Sequence, residues 1–112
     1  MTIDELRDRI DELDEQIVVL LNERAACALA IGELKDELGL EVYQPDRERQ
    51  VLAHVQHVNR GPLQDDAMAR LFERIIDEAR RLERVAKEAH HDPTMGSGGV
   101  SPQGVAPDGG SR

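Results

Sequence analysis

Apolar residues recur along the first third of the chain at Ile3, Leu6, Ile10, Leu13, Ile17, Leu20, Ile31, Leu34 and Leu38. The steps of three and four predict one amphipathic helix over about Ile3–Leu38, with Gly39 as its stop. At ~1.5 Å per residue such a helix is roughly 50 Å long. A loop "GLEVYQPD" follows, in which Pro45 suits a first helical position after Gln44. A second helix is predicted over about Asp46–Asn59, burying Val51, Leu52, Val55 and Val58, and "RGP" at Arg60–Pro62 breaks it. A third starts near Asp65 or Asp66, whose side chains suit the positive end of a helix, and fades after Lys87. It is expected to bury Met68, Leu71, Phe72, Ile75, Ile76, Ala79, Leu82 and Val85.

From His90 the chain turns rich in Gly, Ser and Pro and poor in large apolar residues. Such a segment cannot bury enough surface to offset its ordering entropy. The division is therefore a helical domain over 1–89 and a disordered tail over 90–112. Adjacent His90 and His91 read as solvated surface and not as a metal site, because a third ligand is missing.

The fold class is all-α: one long helix plus two shorter ones. Two helices of this length cannot cover a 50 Å partner along its whole stripe, as helix lengths scale at ~1.5 Å per residue. The exposed stripe calls for a second copy, with the long helices antiparallel about a two-fold axis. Composition agrees, since aromatic residues are 2% of the chain and packing must rely on Leu, Ile, Val and Ala. A net charge of -9 argues against a nucleic-acid partner. A single cysteine, Cys27, excludes an intrachain disulfide and is expected to be a small packed residue. No apolar run approaches a membrane span, and the polar start "MTIDELRDR" lacks the features of a signal peptide, so the expected compartment is the cytoplasm.

Charge also raises a conflict. Arg24 stands in the middle of the apolar stripe, and Lys35 lies eleven residues on, close to three turns and on nearly the same side. Two such side chains can grip one small anion. Arg7 is about 25 Å upstream of Arg24 along the helix, out of reach of that anion within one chain but available from the far end of an antiparallel partner. Arg47 and Glu48 occupy the first turn of the second helix, and Glu83 shares a helix face with Ala79 and lies beside Leu82 and Val85. Like charges on packing faces repel and cost desolvation unless an anion joins them. A small dianion resolves the conflict.

The segments "LRDRIDELDEQIVVLLNER", "IGELK", "YQPDRER" and "RLFERIIDEARRLE", in that order over about Thr2–Val85, resemble the all-helical chorismate mutases. The resemblance implies an intertwined helical homodimer with two sites, no cofactor and no metal, and conversion of chorismate to prephenate on the way to Phe and Tyr. It implies that Arg7 reaches a substrate carboxylate across the dimer and that Arg24 clamps a carboxylate within its own chain. Lys35 would bind the ether oxygen and a carboxylate. Arg47 and Glu48 would form the Arg–Glu pair, with Glu48 accepting the ring hydroxyl. Gln44 falls where some members carry an Asp, and Ala79 where some carry a Ser that touches a carboxylate. Glu83 falls where many carry a Gln that donates to the ether oxygen, so Glu83 would have to be protonated to serve. Relatives acting on similar dianions (isochorismate–pyruvate lyases and aminodeoxychorismate mutases) are the alternative within the family. A helical interaction module without catalysis is the alternative outside it. A DAHP synthase of the same pathway is a partner the resemblance allows.

Overall fold

A computed structural model describes residues 1–41 and 44–91, the side chains of His90 and His91 excepted. It contains three helices, α1 (Ile3–Leu38), α2 (Pro45–Val58) and α3 (Asp65–His91). The reasons for each boundary are local. At the start of α1 the Thr2 hydroxyl accepts from the Glu5 N–H at 3.0 Å, while the Glu5 carboxylate accepts from the Thr2 N–H at 2.8 Å. This reciprocal pair satisfies two donors that the helix itself leaves open. At the other end Gly39 adopts a left-handed φ of 71°, and the Leu40 N–H reaches back to the Lys35 carbonyl at 2.7 Å. Pro45 opens α2 as expected, one residue ahead of the predicted start. Between α2 and α3 the Asn59 amide donates to the Leu63 carbonyl at 2.7 Å and to the Asp65 carboxylate at 2.9 Å, tying the turn together.

α3 runs further than the sequence reading allowed. His90 and His91, assigned there to the tail, are helical. Ala86, Lys87, Glu88 and Ala89 are favourable or neutral in a helix, and nothing opposes propagation until Asp92, whose position before Pro93 disfavours helical backbone. The expected disordered tail, from residue 92 on, lies outside the described residues.

α3 packs against both α2 and α1, while the α1 and α2 backbones do not come together. The result is a slab with principal extents of 56 × 35 × 16 Å. A helix with its side chains is ~10–12 Å across, so the slab has almost no interior. Val55, 8% exposed, is the single buried residue among those described. Of the residues expected to be buried, Val51, Leu52, Met68, Phe72, Ile75, Ile76 and Ala79 are half-covered, whereas Val58, Leu71, Leu82 and Val85 are exposed. The period identified apolar faces correctly, but one chain supplies too few helices to cover them. α1 shows this most fully, since every residue from Met1 to Glu23 is exposed.

Further along α1 the contact face is not the apolar stripe. The half-covered residues against α3 include Ala25, Leu29, Gly32 and Asp36, while Ile31, Leu34 and Leu38 remain 51%, 57% and 71% exposed. The two faces are nearly half a turn apart at ~100° per residue. The small residues Ala25 and Gly32 let α3 approach closely, and the large apolar ones are left to one side. Arg24 therefore does not interrupt a packed core.

Candidate active site

The seam between the three helices opens into a cleft of about 250 Å³. α1 contributes Arg24, Cys27, Ala28, Ile31 and Lys35 to its wall. Gln44 and α2 add Arg47, Glu48 and Val51, and α3 adds Ile76, Ala79, Arg80 and Glu83. Seven of the residues singled out in the sequence thus meet on one volume: Arg24, Lys35, Gln44, Arg47, Glu48, Ala79 and Glu83. Arg7 does not line it and is exposed on the uncovered half of α1.

Arg24 and Lys35 reach the cleft because the stripe that carries them flanks the α1–α3 contact. Arg24 is half-covered and lies over the Phe72 ring, with its guanidinium carbon 6.0 Å from the ring centre. A guanidinium stacked in this way keeps its hydrogen-bond fork free for a planar anion. Cys27 was expected to be packed; it is exposed on the cleft wall instead, because it follows the stripe and not the α3-facing side.

Glu83 continues the half-covered face of α3 that begins with Phe72, Ile76 and Ala79. Its side chain leans over Gly32, whose missing Cβ would stand 3.4 Å from the Glu83 Cγ and 3.5 Å from its Oε2. Burial pushes the Glu83 carboxyl above its ordinary range, and the Lys35 and Arg80 charges pull in the opposite direction without cancelling the rise. Behind Glu83 the α1–α3 seam opens again into a second hollow, lined among others by Glu33, Asp36, Glu37 and Lys87. There Lys87 pairs with Asp36 at 3.4 Å.

Arg80 escaped the sequence reading. It donates to Glu48 Oε2 at 2.5 Å, across the α2–α3 seam, and to Asp77 at 3.4 Å. The signal for it was present: Arg80 lies four residues after Ile76 and three before Glu83, on the face that both share. Among the described residues no group of three or more His, Cys, Asp or Glu is placed to hold a metal ion. No helix of the described residues is long and apolar enough to cross a membrane.

The arrangement defines a class. It is a small all-helical domain whose cleft is lined by four cations, two carboxylates and an amide, set on an apolar floor, with no serine or histidine among the described lining residues. Such a site suits holding a small polyanion in one shape better than attacking it. A family model described as chorismate mutase type II matches residues 6–84, and the chain belongs to that family. A bifunctional chorismate mutase/prephenate dehydratase of Neisseria gonorrhoeae is 47% identical over 96 residues, covering 82% of this chain and 26% of that protein. A chorismate mutase of Methanocaldococcus jannaschii is 27% identical over 81 residues, 71% of this chain and 82% of its own length. A solved chorismate mutase structure from Thermus thermophilus superposes with a TM-score of 0.72 at 38% identity, covering 73% of this chain and 93% of that one. The chain thus spans about a quarter of the length of the bifunctional relatives it matches.

Proposed function

We propose that the chain catalyses the intramolecular rearrangement of chorismate to prephenate, a step toward Phe and Tyr. The observation that carries the proposal is the convergence of Arg24, Lys35, Arg47, Glu48 and Glu83, from three helices, on one cleft. In the reaction the ether C–O bond breaks and a C–C bond forms within one molecule, with no external reactant. The substrate is a flexible dianion, and holding its compact conformer removes much of the entropic barrier. Arg24 suits one carboxylate through its planar fork.

Negative charge grows on the ether oxygen as the C–O bond breaks. A donor fixed at that oxygen stabilises the transition state more than the ground state. Lys35 is one such donor. Glu83 is the second when its carboxyl carries a proton, a state that its burial favours. Glu48 accepts from the ring hydroxyl, Gln44 stands beside it, Arg47 adds positive charge, and Ala79 contributes wall without a polar contact.

The proposal includes an antiparallel homodimer that brings Arg7 of a second chain to the other carboxylate. The bare stripe of α1 supports this, as does the distance of Arg7 from its own cleft. The cytoplasm is the proposed compartment, and fractionation of cells expressing the full chain tests it. Association with a DAHP synthase is tested by whether activity rises on adding that enzyme.

The test of the activity is depletion of chorismate by the purified chain, with the product identified as prephenate. Arg24→Ala removes two charge-assisted hydrogen bonds, each worth ~1.5–3 kcal/mol, so kcat/KM is expected to fall about 10²- to 10⁴-fold. An intact chain that leaves chorismate unchanged would refute the function. Pyruvate release in place of prephenate would move it to a lyase on a similar dianion.

A further inference from the structure

We propose that Arg80 is a positioning residue for both carboxylates of the cleft: it clamps one oxygen of Glu48, so that the other is offered to a ligand hydroxyl, and it sets a positive charge beside Glu83. The inference rests on the cleft reading given above and extends it to a residue to which the resemblance assigns no role.

Ion pairs on this chain fall into two kinds. Arg9–Glu12, Arg49–Asp46, Arg70–Asp66 and Arg74–Glu78 each join neighbouring turns of one helix on the solvent side. Exposed pairs of that kind contribute little to stability. Two others cross between helices: Lys87–Asp36 joins α3 to α1, and Arg80–Glu48 joins α3 to α2 with side chains only 32% and 28% exposed. Arg80 and Glu48 both line the cleft. Arg80 also reaches Asp77 through the same Nη2 at 3.4 Å, so that nitrogen sits between the two carboxylates. Glu48 Oε2 is occupied by this contact. Rotation of the Glu48 carboxylate is thereby restricted, and Oε1 remains as the acceptor.

The same guanidinium acts on Glu83. The charged groups that face Glu83 are Arg24 and Lys35 of α1 and Arg47 and Glu48 of α2 on the cleft side, with Glu33, Asp36 and Glu37 of α1 behind. On α3 itself they are Arg80 and Lys87. Arg80 and Lys35 are the two whose charge most favours an ionised Glu83. Removing Arg80 leaves burial less opposed, and Glu83 then holds its proton to a higher pH.

Two variants separate the two roles. Arg80→Lys keeps the charge but moves the donor that holds Glu48, while Arg80→Met loses both charge and donor. Carbon-detected NMR titration of the glutamate side-chain carboxyls reads Glu83 without any substrate. The Glu83 midpoint is expected to move up in Arg80→Met and to stay near wild type in Arg80→Lys. With chorismate, KM is expected to rise on the order of tenfold in both variants with kcat little changed at low pH, since the hydroxyl contact is equal in ground and transition states. The falling limb of the pH profile is expected to shift upward only in Arg80→Met. An unmoved Glu83 midpoint and KM in Arg80→Met, with only a lower thermal midpoint, would reduce Arg80 to a tie between helices and overturn the inference. If wild-type protein does not convert chorismate, the proposed function fails, and Arg80 is then decided by the titration alone.

Discussion

Gly32→Ala tests how closely α3 sits on α1. Gly32 is a mid-helix glycine, and replacing it with Ala gains ~0.8–1 kcal/mol of helix propensity. The added methyl would meet Glu83 Cγ at 3.4 Å and its Cδ and Oε2 at 3.5 Å, which is ordinary van der Waals contact. No backbone lies in the way, and the contacted group is the far end of a flexible side chain. The methyl also displaces water from the Glu83 carboxyl. That costs little while the carboxyl is protonated and more once it ionises. The net expectation is a gain of about 1 kcal/mol at pH below the Glu83 titration, or ~4–8 °C in Tm for a domain of this size. The gain should shrink at pH above that titration. The assay is thermal unfolding by far-ultraviolet circular dichroism at both pH values. Equal chain concentrations are needed, because association raises apparent stability. A fall in Tm at both pH values would show that the helices have no slack at this contact. A gain of the same size at both would show that the Glu83 carboxyl does not lie over Gly32.

The Glu83 carboxyl sets a pH direction for stability and rate together. Its folded value is raised above the ordinary 4.5, so the folded chain holds the proton better than the unfolded one. The associated stability is full below 4.5 and is lost as pH rises through the raised folded value. kcat/KM is expected to fall over the same range, as the donor at the ether oxygen becomes an acceptor; Glu83→Gln should flatten the fall, and a wild-type profile already flat through neutral pH would contradict it. Arg7 gives a test of the two-chain site. Arg7→Ala and Arg24→Ala chains, each nearly inactive alone, are expected to regain about a quarter of wild-type activity when unfolded together and refolded, because half of the dimers are then mixed and each mixed dimer holds one intact site. No recovery would mean that Arg7 does not act across chains.

The sequence disclosed the helices because each boundary is written locally. Gly39, Pro45 and the break at Arg60–Pro62 fall where the apolar period also changes, and the Thr2–Glu5 and Asn59 caps of the structure agree with them. Arg24, Lys35, Arg47 and Glu48 were legible as a site because cations on an apolar face are costly without a ligand. Arg80 was legible only as a residue on the face of Ile76 and Glu83; a polar residue on a charged helix looks like solvated surface until its cross-helix partner is known. Cys27 was misjudged for a related reason. Periodicity tells which side of α1 is apolar, but not that α3 would settle on a different side, over Ala25 and Gly32. What remained hidden was the relative placement of helices, which depends on contacts between distant segments.

The bareness of α1 from Met1 to Glu23 bears on how such chains recombine. A chain with one buried residue among those described has little core of its own, so in the proposed dimer pairing and folding would be coupled. Partners then separate only by unfolding, and exchange between finished dimers is as slow as denaturation. In a cell carrying two alleles, the mixture of sites is fixed as the chains are made. A damaged Arg7 allele would thus disable sites on healthy chains for the lifetime of the protein.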